Sequence, residues 1–165
     1  MFIFLFYAMK LDKELLEQLI ACKKQVDKVE PLQEKSQYNH KQQTIKVSWG
    51  WYLFEIFTRR NEDLPTNFSV WLIRKWPEEN VYLCRYNWDH WLHRNPNGEI
   101  IKWFHKHIYN IEAKEQWLSD DAYAEVSNEY ASLEQALMQI CKKYNIDYNG
   151  KLDGIIPPQW SLFDN

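Results

Sequence analysis

The chain has 165 residues and a formal net charge of −3 at pH 7. This length fits a single domain over residues 1–165, which can bury a hydrophobic core without disulfides or a structural metal. The charge excludes a general polycation, so any contact with nucleic acid must come from a local basic patch. The three cysteines lie far apart and form no C-x-x-C pattern, which argues against a disulfide framework and favours a cytoplasmic location.

The N-terminus reads M-F-I-F-L-F-Y-A-M-K, an apolar run without a basic residue before it. The run is too short to span a bilayer and lacks the charged start and the cleavage site of a signal peptide. We therefore expect Met1–Ala8 to be an upstream extension or a strand that covers a sheet edge, and we expect no membrane contact. Residues 9–30 are predicted as an amphipathic helix, because apolar residues recur at helical spacing until Pro31 ends the pattern.

The character of the chain changes after the polar stretch 32–43, which predicts a loop with His40 exposed to solvent. Residues 44–111 are rich in β-branched and aromatic side chains, and short turns separate the apolar runs. Gly50 predicts a turn or bulge between two of these strands. Alternating polar and apolar residues joined by short turns are typical of an antiparallel sheet.

Helical spacing returns near the end of the chain. The sequence Ser132-Leu133-Glu134-Gln135 is a capping-box pattern, and an apolar stripe follows it, which predicts a helix within residues 127–146. Residues 150–165 are predicted as a tail. The order of elements predicts an α+β fold, with an antiparallel sheet of four to five strands flanked by an N-terminal and a C-terminal helix.

Four of the five histidines fall between positions 90 and 107: His90, His93, His105 and His107. The sequence N-P-N-G at positions 95–98 predicts the turn of a hairpin whose second strand covers residues 99–111. Alternate residues of a strand share one face, so His105 and His107 should point the same way, about 7 Å apart. His90 and His93 lie on the preceding arm, so the hairpin can gather several imidazoles at one end of the sheet.

Clustered histidines have three functional uses and one structural explanation. In general acid–base catalysis, His105 and His107 would form the acid–base pair, with His93 as the third member and Arg85 or Arg94 near a phosphate. In metal binding, H-x-H supplies two ligands and His93 or Asp89 a third. The histidines can also contact phosphate or a partner without chemistry, or they can be partly buried residues bonded to backbone. A metal-free mechanism without a cofactor is favoured, because the ligand set lacks a convincing carboxylate or cysteine.

Basic and aromatic residues supply further candidates for binding. Basic residues concentrate in the strand region: Arg59, Arg60, Arg74, Lys75, Arg85, Arg94, Lys102 and Lys106. Acidic residues concentrate in the predicted helices and after Glu112, an asymmetry that suits RNA or DNA, although paired charges on solvated strands explain it equally well. Trp88 and Trp91 could stack on bases or anchor a protein partner. The sequence has no P-loop, dinucleotide-binding glycine pattern, G-x-S-x-G or H-E-x-x-H.

Residues 82–109 read Y-L-C-R-Y-N-W-x(4)-H-R-N-P-N-G-E-I-x(4)-H-K-H-I-Y. This pattern resembles an uncharacterised family of small bacterial and archaeal proteins with an H-R-N-P-x-G…H-x-H-I-Y core, and is distantly similar to TumE-type toxins of toxin–antitoxin systems. The resemblance implies action on RNA or growth arrest, with His93, His105 and His107 as functional histidines and Arg85 as a supporting cation. The chain differs in having Asn97 where that family has Asp, and in lacking the paired histidines and upstream acidic residue of the toxins.

The sequence therefore supports two main hypotheses of function. The first is a small toxin-like protein that acts on nucleic acid, specifically a histidine-based, metal-independent endoribonuclease. The alternative is a non-enzymatic inhibitor, of the phage or mobile-element type, that binds a nucleic-acid-processing complex. The expected partners are accordingly RNA or a nucleic-acid-processing protein. A third possibility is one half of a tight toxin–antitoxin heterodimer, with a cognate antitoxin as the partner.

Overall fold

The computed structural model describes residues 11–35, 39–77, 79–88 and 92–156. The expectations for Met1–Ala8, His90 and Trp91, and for the tail from residue 157 onward, lie outside the described residues. Within those ranges no helix is both long and apolar enough to cross a membrane. The three cysteines are all unpaired, as their spacing predicts.

The described chain contains three helices: α1 (Lys13–Ala21), α2 (Ile111–Glu115) and α3 (Leu133–Lys143). The long strands are β1 (Lys24–Val29), β3 (His40–Trp49), β4 (Tyr52–Asn61), β5 (Phe68–Lys75) and β6 (Val81–Asn87). The short strands are β2 (Gln33–Lys35), β7 (His93–Arg94), β8 (Ile100–Ile101), β9 (His105–Ile108), β10 (Glu125–Val126) and β11 (Ile146–Asp147). The fold is therefore α+β, as predicted.

The main sheet is larger than the predicted four to five strands. Nine strands form it, in the order β10-β9-β6-β5-β4-β3-β1-β11, with β2 paired to β3 beside this path. The pairs are antiparallel except for β1 with β11, where Lys24 lies opposite Ile146 in a parallel pair. The remaining strands, β7 and β8, form a separate two-stranded hairpin. Two of the extra strands, β1 and β2, come from segments that the sequence assigns to helix and loop.

The N-terminal helix is much shorter than predicted, because residues 24–29 form β1 instead of its second half. Asp12 caps the start of α1 by accepting the Leu15 N–H, and the helix ends at Ala21. Val26 and Val29 fit a helical stripe, yet they also suit a strand, and they pair with Val47 and Ile45 of β3. A short apolar segment fits both helical and strand spacing, so its sequence alone does not distinguish the two. Pairing with the long strand β3 makes this segment a strand.

The predicted loop at 32–43 is also corrected, because most of it is strand. Residues 33–35 form β2, and β3 begins at His40, which pairs with Asn61 of β4. His40 is consequently buried rather than exposed to solvent. The β3–β4 turn follows the prediction, with Gly50 in the left-handed region at φ 57°.

The C-terminal helix is shorter than predicted and starts where the capping pattern indicates. Ser132 caps it by accepting the N–H of Gln135. Its apolar stripe, including Leu137 and Ile140, packs into one core together with α1 and one face of the sheet. Tyr86 of β6 and Tyr130, which precedes α3, belong to the same core and stack at 5.2 Å.

Candidate functional site

His105 and His107 lie on the sheet face that points away from this core. In β9 they lie directly opposite Asn87 and Arg85 of β6, whereas Lys106 lies opposite the core residue Tyr86. Directly opposed residues of an antiparallel pair share a face, so the two histidines, Asn87 and Arg85 all project to the same side. The prediction that His105 and His107 point the same way is confirmed.

A break between β8 and β9 brings His93 to the other two histidines. The turn at 95–98 is confirmed, with Gly98 at φ 90° and its N–H donating to the Asn95 carbonyl. In the hairpin His93 lies opposite Ile101, and Ile101 is four residues before His105. If residues 101–105 formed one continuous strand, His93 would therefore lie roughly 13 Å from His105 along the strand direction. Because residues 102–104 leave the strand, the hairpin folds back over β9 instead.

The three imidazoles, His93, His105 and His107, form a compact group that we call the histidine triad. The ring centroid of His93 lies 5.7 Å from that of His105 and 4.9 Å from that of His107. The rings of His105 and His107 are 5.2 Å apart and nearly perpendicular. One ring nitrogen of each histidine lies within 4.8 Å of the corresponding nitrogens of the other two.

Backbone carbonyls fix the orientation of the two histidines on β9. Nδ1 of His105 lies 2.8 Å from the carbonyl oxygen of Trp103, and Nδ1 of His107 lies 3.0 Å from that of Tyr123. A carbonyl oxygen can only accept, so Nδ1 carries the proton in both rings and Nε2 of the neutral ring is unprotonated. Asn87 is consistent with this assignment, because its Nδ2 lies 3.4 Å from Nε2 of His105.

His93 is held in the opposite tautomer by the side chain of Asn95. Its Nε2 lies 3.0 Å from Oδ1 of Asn95 and 3.3 Å from the carbonyl oxygen of Ala122. The Asn95 amide is oriented by Ala124, whose N–H donates to Oδ1 and whose carbonyl accepts from Nδ2. Nε2 of His93 is therefore the donor, and Nδ1 is its unprotonated nitrogen.

The environment of His107 favours its neutral form. Burial lowers the pKa of His107 to about 4; the carboxylate of Asp121 opposes this shift, and the nearby His105, Arg85 and His93 add to it. Removing an imidazole from water disfavours its charged form. At neutral pH His107 is consequently an acceptor of a proton or a ligand for a cation, and not a proton donor.

The histidine triad lines an open pocket of about 180 Å³ together with Arg85, Asn87, Trp88, Leu92 and Asp121. Arg85 stacks over the ring of Trp71 at 5.0 Å and donates to Asp121 and to Asn87, at 2.8 Å each. The pocket thus combines unprotonated imidazole nitrogens with one arginine–carboxylate pair at its edge. Such a site can accept protons, hold a cation or orient an anion.

The structure brings only some of the predicted binding residues to this pocket. Arg85 and Trp88 line it, and Trp88 packs edge-on against Phe104 at 4.2 Å. Arg94 is exposed on β7 and does not line the pocket. Lys106 lies on the opposite face of the sheet, where it forms an ion pair with Glu129 at 3.0 Å. Trp91 lies outside the described residues.

Three residues of the site escaped the sequence analysis: Asn87, Asn95 and Asp121. Asn87 alternates with Arg85 along β6, so strand parity could have placed it beside that residue. Asn95 belongs to a recognised turn, where an asparagine already has a local explanation. The ion pair of Asp121 with Arg85 spans 36 positions and leaves no local pattern in the sequence.

Comparison with known proteins identifies a family that covers most of the chain. The model of a family of unknown function (DUF6978) matches residues 11–146, a range that includes the histidine triad and every residue that lines its pocket. No curated protein and no solved structure matches the chain.

Proposed function

The chain belongs to this family of unknown function, and we propose from the geometry of its pocket that it is a small endoribonuclease with the histidine triad as its active site. The observation that carries the proposal is the convergence of His93, His105 and His107 in one open pocket that Arg85 also lines. The likeness to TumE-type toxins and a cytoplasmic location are part of the same proposal.

RNA cleavage needs a group that accepts the proton of the 2′-hydroxyl. In the reaction the 2′-oxygen forms a bond to phosphorus while the bond from phosphorus to the 5′-oxygen breaks. The imidazole that accepts the 2′-hydroxyl proton becomes an imidazolium, and this proton then passes, directly or through water, to the departing 5′-oxygen. The unprotonated nitrogens of the triad supply acceptors within one pocket, which is the arrangement that proton transfer at a phosphate requires. Acid–base roles for His105 and His107, with His93 beside them, remain the prediction from the sequence.

A cleaved phosphate also needs a positive group beside it. Arg85 is the cation that lines the pocket among the described residues, and Asp121 holds it at 2.8 Å. Half of the Asp121 side chain is exposed, so water can replace the carboxylate when Arg85 turns to a phosphate. A guanidinium suits this role because its planar N–H groups match two phosphate oxygens.

The test is cleavage of a mixed RNA substrate by the purified full chain and by the double variant His105→Ala/His107→Ala. We expect fragmentation by the wild type and at least a hundredfold loss of rate in the variant, as general acid–base groups contribute on the order of 10²–10⁴. Expression in bacteria, with growth and total RNA followed over time, repeats the comparison in cells.

His40→Ala is the matched control, because it removes a buried histidine that lies in β3 and outside the pocket. It should cleave RNA as the wild type does, provided that circular dichroism shows a folded chain. Intact RNA with the wild type, or equal cleavage by the double variant, would contradict the proposal.

A second function, binding to a nucleic-acid-processing protein without chemistry, is favoured by a different observation. Among the described residues, three tryptophans are largely exposed: Trp51 at 92%, Trp103 at 66% and Trp117 at 95%. Large exposed aromatic side chains are enriched at protein interfaces, where they act as anchors. If this function is right, RNA stays intact, and Trp51→Ala or Trp117→Ala weakens capture of the partner while His105→Ala/His107→Ala does not.

A further inference from the structure

The histidine triad brings three imidazole rings together in one open pocket. The hydrogen bonds to Trp103, Tyr123 and Asn95 use the N–H of each imidazole and leave its second nitrogen as an acceptor. Nδ2 of Asn87 lies 3.4 Å from Nε2 of His105. Unprotonated imidazole nitrogens grouped in one site suit a cation that binds several lone pairs at once.

The surroundings of the triad match the outer shell of a protein metal site. A metal-ligating histidine usually donates its other N–H to a backbone carbonyl, carboxylate or side-chain oxygen, which fixes both tautomer and ring direction. All three histidines do so here, two toward backbone carbonyls and one toward a buried amide. Such preset tautomers suit a ligand that binds nitrogen lone pairs.

The spacing of the triad is close to that of a tetrahedral site. Zinc–nitrogen bonds of 2.0–2.1 Å place the nitrogens of a tetrahedral ion roughly 3.4 Å apart. One ring nitrogen of each histidine already lies within 4.8 Å of the other two. His93 lies on the β7–β8 hairpin and the other two histidines lie on β9, so a small approach of the hairpin toward β9 shortens the two distances that involve His93.

We propose that His93, His105 and His107 bind one divalent transition-metal ion of the zinc class, through Nδ1 of His93 and Nε2 of the other two histidines. An all-imidazole set suits zinc, cobalt, nickel, copper or iron(II) and is a poor site for magnesium or calcium, which require oxygen ligands. The proposed site would make the reaction depend on a metal, in place of the metal-free mechanism that the sequence favours.

Three protein ligands leave a fourth position, and the open pocket lies beside it. This ligand count is typical of catalytic zinc, whereas structural zinc has four protein ligands. A bound metal lowers the pKa of its water to about 7 and so provides a hydroxide at neutral pH. Metal binding itself does not depend on the proposed function, but its role in the reaction does. In RNA cleavage, metal-bound hydroxide instead of an imidazole would accept the 2′-hydroxyl proton.

The test is titration of the full chain, without a polyhistidine tag and stripped with a chelator, with Co²⁺ and then Zn²⁺. We expect the intense visible absorption of tetrahedral Co²⁺ to saturate at one equivalent per chain, and Zn²⁺ to remove it by displacement. X-ray absorption of the zinc-loaded wild type should show three imidazole nitrogens at about 2.0 Å. This measurement needs no variant, so it decides the matter even if substitutions unfold the chain.

The variants His105→Gln and His107→Gln should each lower the Co²⁺ affinity at least a hundredfold, while His40→Gln should leave it unchanged. Mg²⁺ at the same concentrations should not displace Co²⁺. Absence of stoichiometric binding by the wild type, or unchanged binding by both triad variants, would overturn the metal site.

Chelation and Co²⁺ binding distinguish an incorrect metal site from an incorrect assignment as a ribonuclease. RNA cleavage that persists in excess chelator, with no Co²⁺ binding, rejects the metal and leaves the endoribonuclease standing. Stoichiometric Co²⁺ binding with intact RNA supports the metal and rejects the endoribonuclease. Cleavage that the chelator abolishes and Zn²⁺ restores supports both.

Discussion

Asn95 determines how His93 faces the rest of the triad. Its side chain is almost fully buried, accepts the Nε2 proton of His93 and is bonded to both backbone groups of Ala124. We predict that Asn95→Ala lowers the Co²⁺ affinity roughly 10–100-fold although all three imidazoles remain, because partners in the outer shell of a metal site typically contribute this much. Titration at a temperature where the variant is fully folded separates this loss from a loss of stability.

Asn97→Ala is the matched control in the same turn. Asn97 is exposed, and its side chain accepts the Glu99 N–H without touching the triad. Equal affinities in the two variants would show that Asn95 does not position His93. A weakened Asn95→Ala beside an unchanged Asn97→Ala would establish it as a positioning residue.

At the residue scale, the alternation of side chains along a strand predicts which face of the sheet a residue takes. It does not predict as well whether that residue is buried. The shared face of His105 and His107 follows from the period of two along β9. The polar neighbours of His40 predict an exposed loop, yet pairing with both β2 and β4 buries this residue. The hydrogen bonds that set the tautomers could not be predicted, because the carbonyls of Ala122 and Tyr123 come from a loop with no pattern of its own.

Between elements, the hydroxyl of Tyr130 joins β6 to β9 directly behind the site. It accepts the N–H of Asn87 at 3.1 Å and lies 2.6 Å from the carbonyl oxygen of His105. We predict that Tyr130→Phe lowers the free energy of unfolding by about 1–3 kcal/mol, because it leaves a buried backbone N–H without its partner. Urea denaturation measures this as a lower midpoint with an unchanged slope.

Tyr82→Phe in the same strand β6 is the control, since this ring is 40% exposed and its hydroxyl bonds to none of the described residues. It should stay within about 0.5 kcal/mol of the wild type, as is usual for surface substitutions. Equal midpoints for the two variants would show that the Tyr130 hydroxyl does not hold the two strands together.

Sequence patterns predict the turns and the helix cap of this fold well and the short strands poorly. The β3–β4 turn at Gly50, the turn at 95–98 and the start of α3 lie where the sequence places them. The sequence predicts one strand over residues 99–111, but this stretch divides into β8 and β9. Within the described chain, β8 pairs with β7, whereas β9 pairs with β6 and β10. The division into two strands brings His93 next to His105 and His107. It depends on pairing between distant strands, which the local sequence does not specify.

Across the described part of the molecule, several basic residues of the sheet form ion pairs with acidic side chains. Arg60 pairs with Glu134, Lys46 and Lys75 both pair with Glu55, and Lys106 pairs with Glu129. The asymmetry of charge in the sequence is therefore reduced by contacts between strands and between the sheet and the acidic segments. RNA that binds to this protein would meet a pocket with one arginine instead of a wide basic face.

This arrangement predicts a weak dependence of RNA affinity on salt. For single strands the slope of log K against log salt is about −0.7 per phosphate neutralised, so one or two contacts cost roughly three- to sevenfold between 50 and 200 mM. A short 2′-O-methyl oligonucleotide, which cannot be cleaved, allows binding to be measured alone, and Arg85→Gln should flatten the slope further. A basic face with six contacts would instead lose roughly several hundredfold over that range. Such a loss, insensitive to Arg85→Gln, would place RNA on a surface away from the histidine triad and contradict the pocket as its binding site.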